Sequence, residues 1–251
     1  MKINIFNDNF QNYKRYNIPK AQLVIADIPY NLGNNAYASS PEWYVGGDNK
    51  KGESKLANKQ FFNSDLNFNS VEFFHFCSKL VKPEPKSAGD AGCMIVFCAF
   101  QQMHFLIETA KKYGFKNNLP LFFIKKTSPQ VLKANMKIVG AVEFAVLFYR
   151  NKLPKFRNDG KMILNHFEFD NGRNANISKI HPTQKPYNLI ERLIYIFTDE
   201  NDVVIDPCCG SGVSVLVADN LKRKGYGFEI DRNFYKKSLD FYKANRENTL
   251  F

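Results

Sequence analysis

The sequence predicts an α/β fold, in which helices cover both faces of a mostly parallel β-sheet. Short apolar runs alternate with longer segments of helical periodicity along all 251 residues, without an internal repeat. The apolar runs lack the apolar–polar alternation of half-exposed strands, which is typical of strands buried on both faces. Because a chain of this length can form one sizeable core, we expect a single domain over residues 1–251.

This pattern allows each strand and helix to be placed. The predicted strands are Ile3–Phe6, Gln22–Ala26, Cys93–Cys98, Leu119–Ile124, Phe144–Tyr149, Val203–Asp206 and Gly225–Phe228. The predicted helices are Val71–Leu80, Gln101–Tyr113, Tyr187–Phe197, Val213–Asn220 and Asn233–Asn245. Glycines at Gly114 and Gly225 follow two of these helices, where helices commonly end.

Two segments interrupt the alternation of strands and helices. Residues 31–69 are polar, rich in Gly and Asn, and include Trp43. Residues 152–179 are rich in Lys, Arg and Asn, with scattered Phe. Long loops in a compact domain are usually functional or mobile. We expect both segments to contact nucleic acid, the alternative being flexible surface insertions.

Charge and cysteine content narrow the class of protein. Lys and Arg number 35 against 24 Asp and Glu, a net charge of +11, which favours a polyanionic partner over a merely basic protein. The five Cys have no CxxC spacing, so we expect buried thiols rather than disulfides or a zinc site. We expect a cytoplasmic protein, because no apolar stretch is long enough to span a membrane and the N-terminus lacks a signal-peptide core.

A first group of chemically suggestive residues is Asp27-Ile28-Pro29-Tyr30, directly after a predicted strand. Ligands of parallel sheets bind at the carboxyl ends of the strands. A carboxylate, nearby backbone carbonyls and an aromatic ring could hold a flat heterocycle and accept hydrogen bonds from its amino group. Four residues alone are also compatible with a plain strand-to-loop turn.

A second group is Asp206-Pro207-Cys208-Cys209-Gly210-Ser211-Gly212, between a predicted strand and a helix. Its glycines permit a tight turn and the close approach of a ligand, and the following helix N-terminus favours an anionic group. Glu229 ends the next strand, where an acid is placed to bind both hydroxyls of a ribose. The segment is not a phosphate-binding P-loop, because it lacks the Lys.

The segment His181-Pro182-Thr183-Gln184-Lys185-Pro186 precedes a predicted helix. We expect Thr183 to cap that helix and Lys185 to pair with a carboxylate. His181 is expected to have a structural role, since no second catalytic group lies near it in the sequence.

These elements, in this order, resemble the β group of DNA amino-methyltransferases, whose permuted motif order is D-P-P-Y, target recognition, H-P-T-Q-K-P and then D-P-F-x-G-S-G. The chain has D-I-P-Y, H-P-T-Q-K-P, D-P-C-C-G-S-G and G-F-E-I-D, so the resemblance covers nearly its whole length. It implies a Rossmann-like methyltransferase fold that uses S-adenosylmethionine and acts on double-stranded DNA, as in restriction–modification. It also makes residues 152–179 the target-recognition insertion and a homodimer plausible by analogy.

The resemblance assigns roles residue by residue. The catalytic residues it implies are Asp27, Ile28, Pro29 and Tyr30. Asp27 and the Ile28 carbonyl would bind the target amine, and Tyr30 would stack on the base. The cofactor residues it implies are Asp8, Asp27, His181, Thr183, Lys185, Asp206, Pro207, Cys208, Gly210, Ser211, Gly212 and Glu229. Among these, Glu229 would bind the ribose and Asp8 would lie near the adenine. No metal is expected.

The sequence departs from the family pattern at two places. Ile28 replaces the first Pro and keeps a carbonyl, so only rigidity is expected to be lost. Cys208-Cys209 replaces a bulkier pair, which would loosen the cofactor contact without removing the glycine turn.

The predicted product is N6-methyladenine, because Asp-headed motifs in this family usually belong to adenine enzymes. The alternatives are an N4-cytosine enzyme, an enzyme acting on RNA or a protein amide, and a catalytically silent module that binds cofactor and DNA. A dehydrogenase would not explain D-I-P-Y or H-P-T-Q-K-P.

Overall fold

The computed structural model confirms the predicted α/β fold and describes residues 3–30, 68–126, 131–133, 138–169, 177, 179–181 and 183–246. The strands are β1 (Ile5–Phe6), β2 (Leu23–Asp27), β3 (Cys93–Cys98), β4 (Asn117–Lys125), β5 (Val131–Lys133), β6 (Ile138–Val139), β7 (Val142–Tyr149), β8 (His166–Phe169), β9 (Val203–Asp206) and β10 (Lys224–Phe228). The helices are α1 (Ser70–Leu80), α2 (Phe100–Lys112), α3 (Tyr187–Phe197), α4 (Val213–Asn220) and α5 (Arg232–Asn245), with a 3-10 helix at Phe10–Arg15.

The predicted elements agree closely with these bounds. β3, β9, α3 and α4 have the predicted limits, and the other predicted elements differ at their ends by two residues or fewer. The sequence analysis missed the 3-10 helix, β8 and the small β5–β6 hairpin. The loop predicted over residues 31–69 lies outside the described residues, except for Phe68 and Asn69.

Eight of the strands form one sheet in the order β1-β10-β9-β2-β3-β7-β4-β8. All neighbouring strands are parallel except that β7 runs antiparallel to both β3 and β4. β2 ends at Asp27 and β9 ends at Asp206, on the same side of the sheet. The antiparallel strand β7 begins on that side, which we call the carboxyl edge.

Two hydrophobic cores flank the sheet, as expected for strands buried on both faces. Leu23 and Ile25 of β2 pack into the core under α3 and α4, and Val24 and Ala26 pack into the core under α1. Burying one such Leu or Ile side chain stabilises the fold by about 1.5–3 kcal/mol. Alternate residues of β2 thus anchor this strand in the cores on both faces of the sheet, which fixes the position of its end at the carboxyl edge.

Local side-chain contacts explain where several helices begin and end. The Asn69 side chain accepts hydrogen bonds from the backbone N–H groups of Val71 and Glu72 at the start of α1. The Asp231 side chain does the same for Asn233 and Phe234 at the start of α5. Each cap satisfies N–H groups that have no partner within the helix.

The beginning of segment 152–179 belongs to the body of the protein rather than to an exposed insertion. The Nζ atom of Lys155 lies 2.7 Å from Oδ2 of Asp202 and 2.8 Å from Oδ2 of Asp199, and the Lys155 side chain is only 8% exposed. Arg157 also pairs with Asp199, at 2.7 Å. Because Asp202 precedes β9, these cations lie at the edge opposite the carboxyl edge. The prediction of nucleic-acid contact is therefore corrected for the buried Lys155.

Within the ranges that the structure describes, no helix is both long and apolar enough to cross a membrane.

Candidate active site

The turn that follows β2 is held against β3 and α2. The backbone N–H of Ile28 donates to the Phe97 carbonyl oxygen at 3.3 Å, a bond that a proline at this position could not make. The Gln102 side chain donates to the Pro29 carbonyl oxygen at 2.9 Å and accepts from the backbone N–H of Ala99 at 3.0 Å. Hydrogen bonds therefore hold a turn that lacks the family's first proline.

Lys185 joins the segment before α3 to the end of β2. Its Nζ atom lies 2.7 Å from Oδ2 of Asp27 and 3.2 Å from Oε2 of Glu143, which confirms that Lys185 pairs with a carboxylate. The ammonium group also lies 5.0 Å from the centre of the Phe97 ring and 5.8 Å from that of Tyr30. The Lys185 side chain is 9% exposed, so water screens these interactions little.

The second oxygen of Asp27 is placed differently. Oδ1 is buried and has no hydrogen-bond partner among the residues that the structure describes. Burial raises the pKa of Asp27; the charge of Lys185 and the nearby Tyr30 hydroxyl oppose that rise, and the charge of Glu143 adds to it. A buried acceptor without a partner is costly, so Oδ1 is suited to accept a donor from a bound molecule.

Glu143 carries the other carboxylate beside Lys185. Burial by itself would raise the pKa of Glu143, but the charges of Lys185 and Lys125 outweigh it and lower the pKa to about 2. Glu143 is therefore an anion at neutral pH. Its Oε1 atom pairs with Lys125, whereas its buried Oε2 atom lies 3.2 Å from the Lys185 ammonium without a well-aligned hydrogen bond.

The glycine-rich turn lies between β9 and α4. The Asp206 side chain accepts hydrogen bonds from the backbone N–H of Cys208, at 3.0 Å, and from the Ser214 hydroxyl. Gly210 and Gly212 have φ angles of +50° and +76°, in the left-handed region that favours glycine. A Cβ atom on Gly212 would lie 2.8 Å from Cδ1 of Ile5, so there is also no room for a side chain at this position.

Glu229 follows β10 and faces this turn. Its carboxylate accepts hydrogen bonds from the backbone N–H groups of Gly210, at 2.9 Å, and Asp231, at 2.7 Å. Burial raises the pKa of both Glu229 and Asp206 to about 7. Two carboxylates shielded from water beside the glycine turn suit a ligand with hydroxyl donors and positive charge, which is the chemistry of S-adenosylmethionine.

His181 packs beside the glycine turn. Its ring centre lies 4.2 Å from that of Phe234, and a Cβ atom on Gly210 would lie 3.5 Å from the imidazole ring. Burial and the charge of Lys179 lower the pKa of His181 to about 4, so the ring is neutral at physiological pH. The Thr183 hydroxyl lies 3.1 Å from Nδ1 of His181.

The predicted helix cap at Thr183 is wrong. The residue before α3 is Pro186, and no side-chain hydrogen bond caps that helix. The Thr183 hydroxyl is instead directed at His181, because residues 184–186 separate it from the helix start. Pro182 lies outside the described residues.

The remaining predicted residues also lie near the carboxyl edge. Asp8 follows β1 and accepts hydrogen bonds from the Asn9 backbone, the Asn12 side chain and the Tyr16 hydroxyl, so it organises the 3-10 helix. Ser211 and Pro207 are buried in the glycine turn, and Cys208 is partly buried there. Burial raises the pKa of the Cys208 thiol, which therefore is not a nucleophile at neutral pH.

The structure thus brings the predicted residues into two adjoining groups, one around Asp27 and one around Asp206. The sequence analysis missed Glu143, Lys125 and Gln102. A signal was present for Glu143, which is an acid inside the apolar run V-E-F-A-V-L-F-Y. In the part of the chain that the structure describes, no three His, Cys, Asp or Glu side chains are arranged to hold a metal ion.

Solved structures share this fold. The crystal structure of an M1.HpyAVI–SAM complex is similar with a TM-score of 0.68 at 21% identity, over 95% of this chain and 99% of that one. The PvuII DNA methyltransferase, which is cytosine-N4-specific, is similar with a TM-score of 0.67 at 19% identity, over 97% and 86% of the two chains. The fold is that of the S-adenosylmethionine-dependent methyltransferases.

The family follows from the sequence comparison. Residues 21–240 match the family model described as DNA methylase, of the N6/N4 type, and the chain belongs to that family. The family uses S-adenosylmethionine to methylate exocyclic amino groups of DNA at specific sites.

Several curated relatives match over most of their length. They include the type II methyltransferase M2.DpnII of Streptococcus pneumoniae, 26% identical over 97% of this chain and 90% of that protein. The type II methyltransferase M2.LlaDCHI of Lactococcus lactis subsp. cremoris is 26% identical over 91% and 84%. The DNA adenine methyltransferase YhdJ of Escherichia coli (strain K12) is 25% identical over 94% and 80%.

Proposed function

We propose that this protein methylates N6 of adenine at specific sites in double-stranded DNA, in the cytoplasm and with S-adenosylmethionine as methyl donor. The observation that carries the proposal is the buried, unpartnered Oδ1 atom of Asp27 at the carboxyl edge. The Asp-headed motif and the adenine specificity named for YhdJ favour adenine over cytosine.

Asp27 would act on the amino group of the target base. An exocyclic amine is a poor nucleophile, because its lone pair is delocalised into the ring. Oδ1 of Asp27 and a backbone carbonyl of the D-I-P-Y turn would accept its two hydrogens and draw the nitrogen towards a tetrahedral arrangement. The lone pair is then localised and directed out of the ring plane.

Bound S-adenosylmethionine supplies a methyl group on positively charged sulfur; as the amine lone pair forms the new N–C bond, the S–C bond breaks and returns its electron pair to sulfur. The methylated amine then carries a positive charge and must lose one proton. Asp27 is placed to accept that proton at Oδ1 and pass it to water. Burial raises the pKa of Asp27, which makes the carboxylate a better proton acceptor.

Tyr30 would hold the base after it leaves the helix. The amino group of a stacked adenine cannot reach the turn after β2, so the nucleotide must rotate out of the duplex. Stacking on an aromatic ring offsets about 1–3 kcal/mol of the unstacking cost. Tyr30 follows Pro29, whose carbonyl is fixed by Gln102, so the ring is attached to a held turn.

The cofactor would lie against the Gly210–Gly212 turn and the Glu229 carboxylate, which are in contact with each other. The Glu229 carboxylate has lone pairs left for ribose hydroxyls after its two backbone hydrogen bonds. Asp206 and the backbone of Gly210, Ser211 and Gly212 would hold the methionine end. We also propose that Asp8 lies near the cofactor's adenine ring and that the protein forms a homodimer, which light scattering would test.

The deciding experiment is mass spectrometry of nucleosides after treating duplex DNA with the protein and labelled cofactor. Label in N6-methyladenine is expected, and label in N4-methylcytosine alone would replace adenine by cytosine while keeping the mechanism. RNA and protein substrates in parallel test the rival substrate classes.

A second measurement tests the catalytic group. Asp27→Ala should abolish methyl transfer and leave cofactor affinity, measured by calorimetry, nearly unchanged, because the glycine turn is separate from Asp27. Full transfer by Asp27→Ala would overturn the mechanism.

A further inference from the structure

We propose that Glu143 is a positioning residue for methyl transfer, which holds Lys185 between two carboxylates and so keeps Oδ1 of Asp27 available to the target amine. This inference rests on the proposed function of Asp27. Glu143 belongs to none of the sequence motifs described above, and it is positioned at the site by β7.

The observation behind the proposal is a row of four alternating charges at the carboxyl edge. Lys125 pairs with Oε1 of Glu143, Lys185 lies 3.2 Å from Oε2 of Glu143, and Lys185 lies 2.7 Å from Oδ2 of Asp27. The side chains are 13%, 17%, 9% and 22% exposed in the order Lys125, Glu143, Lys185 and Asp27. Each charge in this row is therefore shielded from water and depends on its neighbour.

The geometry decides which oxygen of Asp27 is available. Lys185 occupies Oδ2, and Oδ1 has no partner among the described residues. A lysine held only by Asp27 could rotate to bridge both carboxylate oxygens, because its stem is flexible and its ammonium has three donors. Glu143 holds the ammonium from the other side and prevents that rotation.

The charge balance decides how strongly Asp27 accepts. An unopposed ammonium at 2.7 Å would strongly favour the ionised carboxylate and weaken it as a proton acceptor. The negative charge of Glu143 acts in the opposite direction on Asp27, and Lys125 in turn offsets Glu143. Glu143 thus lets Lys185 orient Asp27 without removing its basicity.

Other titratable groups also surround this row. Asp27 also interacts electrostatically with Tyr30, Cys98, Asp206 and Cys208. Glu143 also interacts with Tyr30 and Lys179. None of these groups lies between Glu143 and Lys185, which are in direct contact.

The test is the rate of methyl transfer in a single turnover, measured across pH with enzyme in excess over duplex DNA. The rate should rise with pH as Asp27 ionises, and this rise is the acid limb of the profile. Glu143→Gln should lower the maximal rate about tenfold and move the acid limb to lower pH by about one unit. Lys125→Gln should move the same limb to higher pH, because it removes the charge that offsets Glu143. Calorimetric affinity for S-adenosylmethionine should change less than about twofold in both variants.

Glu108→Gln is the matched control, since Glu108 also pairs with a lysine, Lys111, at 2.7 Å but lies exposed on α2. Its profile should equal that of the unchanged protein. Glu143→Asp, which keeps the charge, should restore the position of the limb even if its shorter side chain lowers the rate. Circular dichroism establishes that each variant is folded.

An unmoved acid limb in folded Glu143→Gln would overturn the inference, as would limbs that move in the same direction in Glu143→Gln and Lys125→Gln. If Glu143→Gln does not fold, the Lys125→Gln profile decides, and a limb that stays or moves to lower pH rejects the inference. Asp27→Asn separates the two proposals. Full activity in Asp27→Asn would overturn both, whereas an inactive Asp27→Asn with unaffected Glu143→Gln would overturn only the role of Glu143.

Discussion

The ammonium nitrogen of Lys185 lies 2.7 Å from Oδ2 of Asp27, although the two residues are 158 positions apart in the chain. This contact joins the D-I-P-Y turn to the H-P-T-Q-K-P segment, and both charges are largely shielded from water. This ion pair therefore links the segment before α3 to the proposed catalytic carboxylate.

Removing the Lys185 charge should destabilise the fold. Lys185→Met leaves the carboxylates of Asp27 and Glu143 without their shared partner, at a cost of about 3–5 kcal/mol in the free energy of unfolding at neutral pH. Without Lys185 the folded Asp27 has a raised pKa and binds a proton more readily than the unfolded chain. The loss should therefore shrink as the pH falls through that raised pKa.

Urea unfolding at several pH values measures this loss. Lys222→Met is the control, because Lys222 pairs with Glu200 at 3.4 Å on the surface, where both side chains are more than half exposed. Its effect should stay within about 0.5 kcal/mol. Equal effects for the two variants would show that the Lys185 ion pair is not a structural link.

Cofactor binding should release protons. Burial raises the pKa of Glu229 and Asp206 to about 7 in the free protein, and ribose hydroxyls and positive charge favour the ionised carboxylates. Affinity for S-adenosylmethionine should therefore rise as the pH rises from about 6 to about 8. Calorimetry in buffers of different ionisation enthalpy counts the protons.

Glu229→Gln should reduce that proton release and weaken binding by about 1.5–3 kcal/mol at pH values where Glu229 is ionised. Glu200→Gln, a change at an exposed acid, should alter neither quantity. Unchanged affinity and proton release in Glu229→Gln would remove Glu229 from the cofactor site.

Affinity for duplex DNA should fall steeply with salt, because lysines and arginines release counterions from phosphates. Lys161, which is exposed, belongs to the part of segment 152–179 still proposed to contact DNA. Lys161→Gln should lower the slope of log affinity against log salt by about one. Lys155→Gln should leave the slope unchanged, since Lys155 is buried against Asp202. Titrations over a range of salt that give the reverse result would exclude this surface.

The glycine turn provides a matched pair of substitutions. Gly212 and Gly160 both have positive φ angles, +76° and +70°, but a Cβ atom on Gly212 would lie 2.8 Å from Ile5, whereas one on Gly160 would meet nothing within 4 Å. Gly160→Ala should cost about 1–2 kcal/mol from backbone strain alone. Gly212→Ala should cost more and also weaken cofactor binding. Thermal unfolding that ranks the two equally would mean that Ile5 moves away freely.

The sequence predicted most strands and helices because their signals are local. β3 is an unbroken apolar run, β9 is apolar up to its last residue, Asp206, and the turn from Asp206 to Gly212 contains its own glycines. The ion pair of Lys185 was also predictable. A lysine in a motif close to several acidic residues is expected to pair with a carboxylate.

Other features depend on strand order, which local patterns do not contain. Glu143 reaches the site because β7 runs antiparallel and begins at the carboxyl edge. The rule used for parallel strands places site residues only where strands end, so it does not predict a site residue at the beginning of a strand. Thr183 and Lys155 were misjudged for a similar reason. Their partners, His181 and Asp202, are set by packing rather than by the spacing of caps or by net charge.

The pairing of β4 with β7 also bears on how such enzymes diversify. Phe123 and Ile124 of β4 lie opposite Glu143 and Val142 of β7, so that Lys125 and Glu143 are carried by one antiparallel pair of consecutive sheet strands. A genetic exchange that replaced residues 117–149 would transfer both charges together. The acid and its counter-charge would then be inherited as a unit, while Asp27 and Lys185 stay with the recipient. Crossovers between Lys125 and Glu143 would separate them, and hybrid genes joined there should be recovered less often among active enzymes.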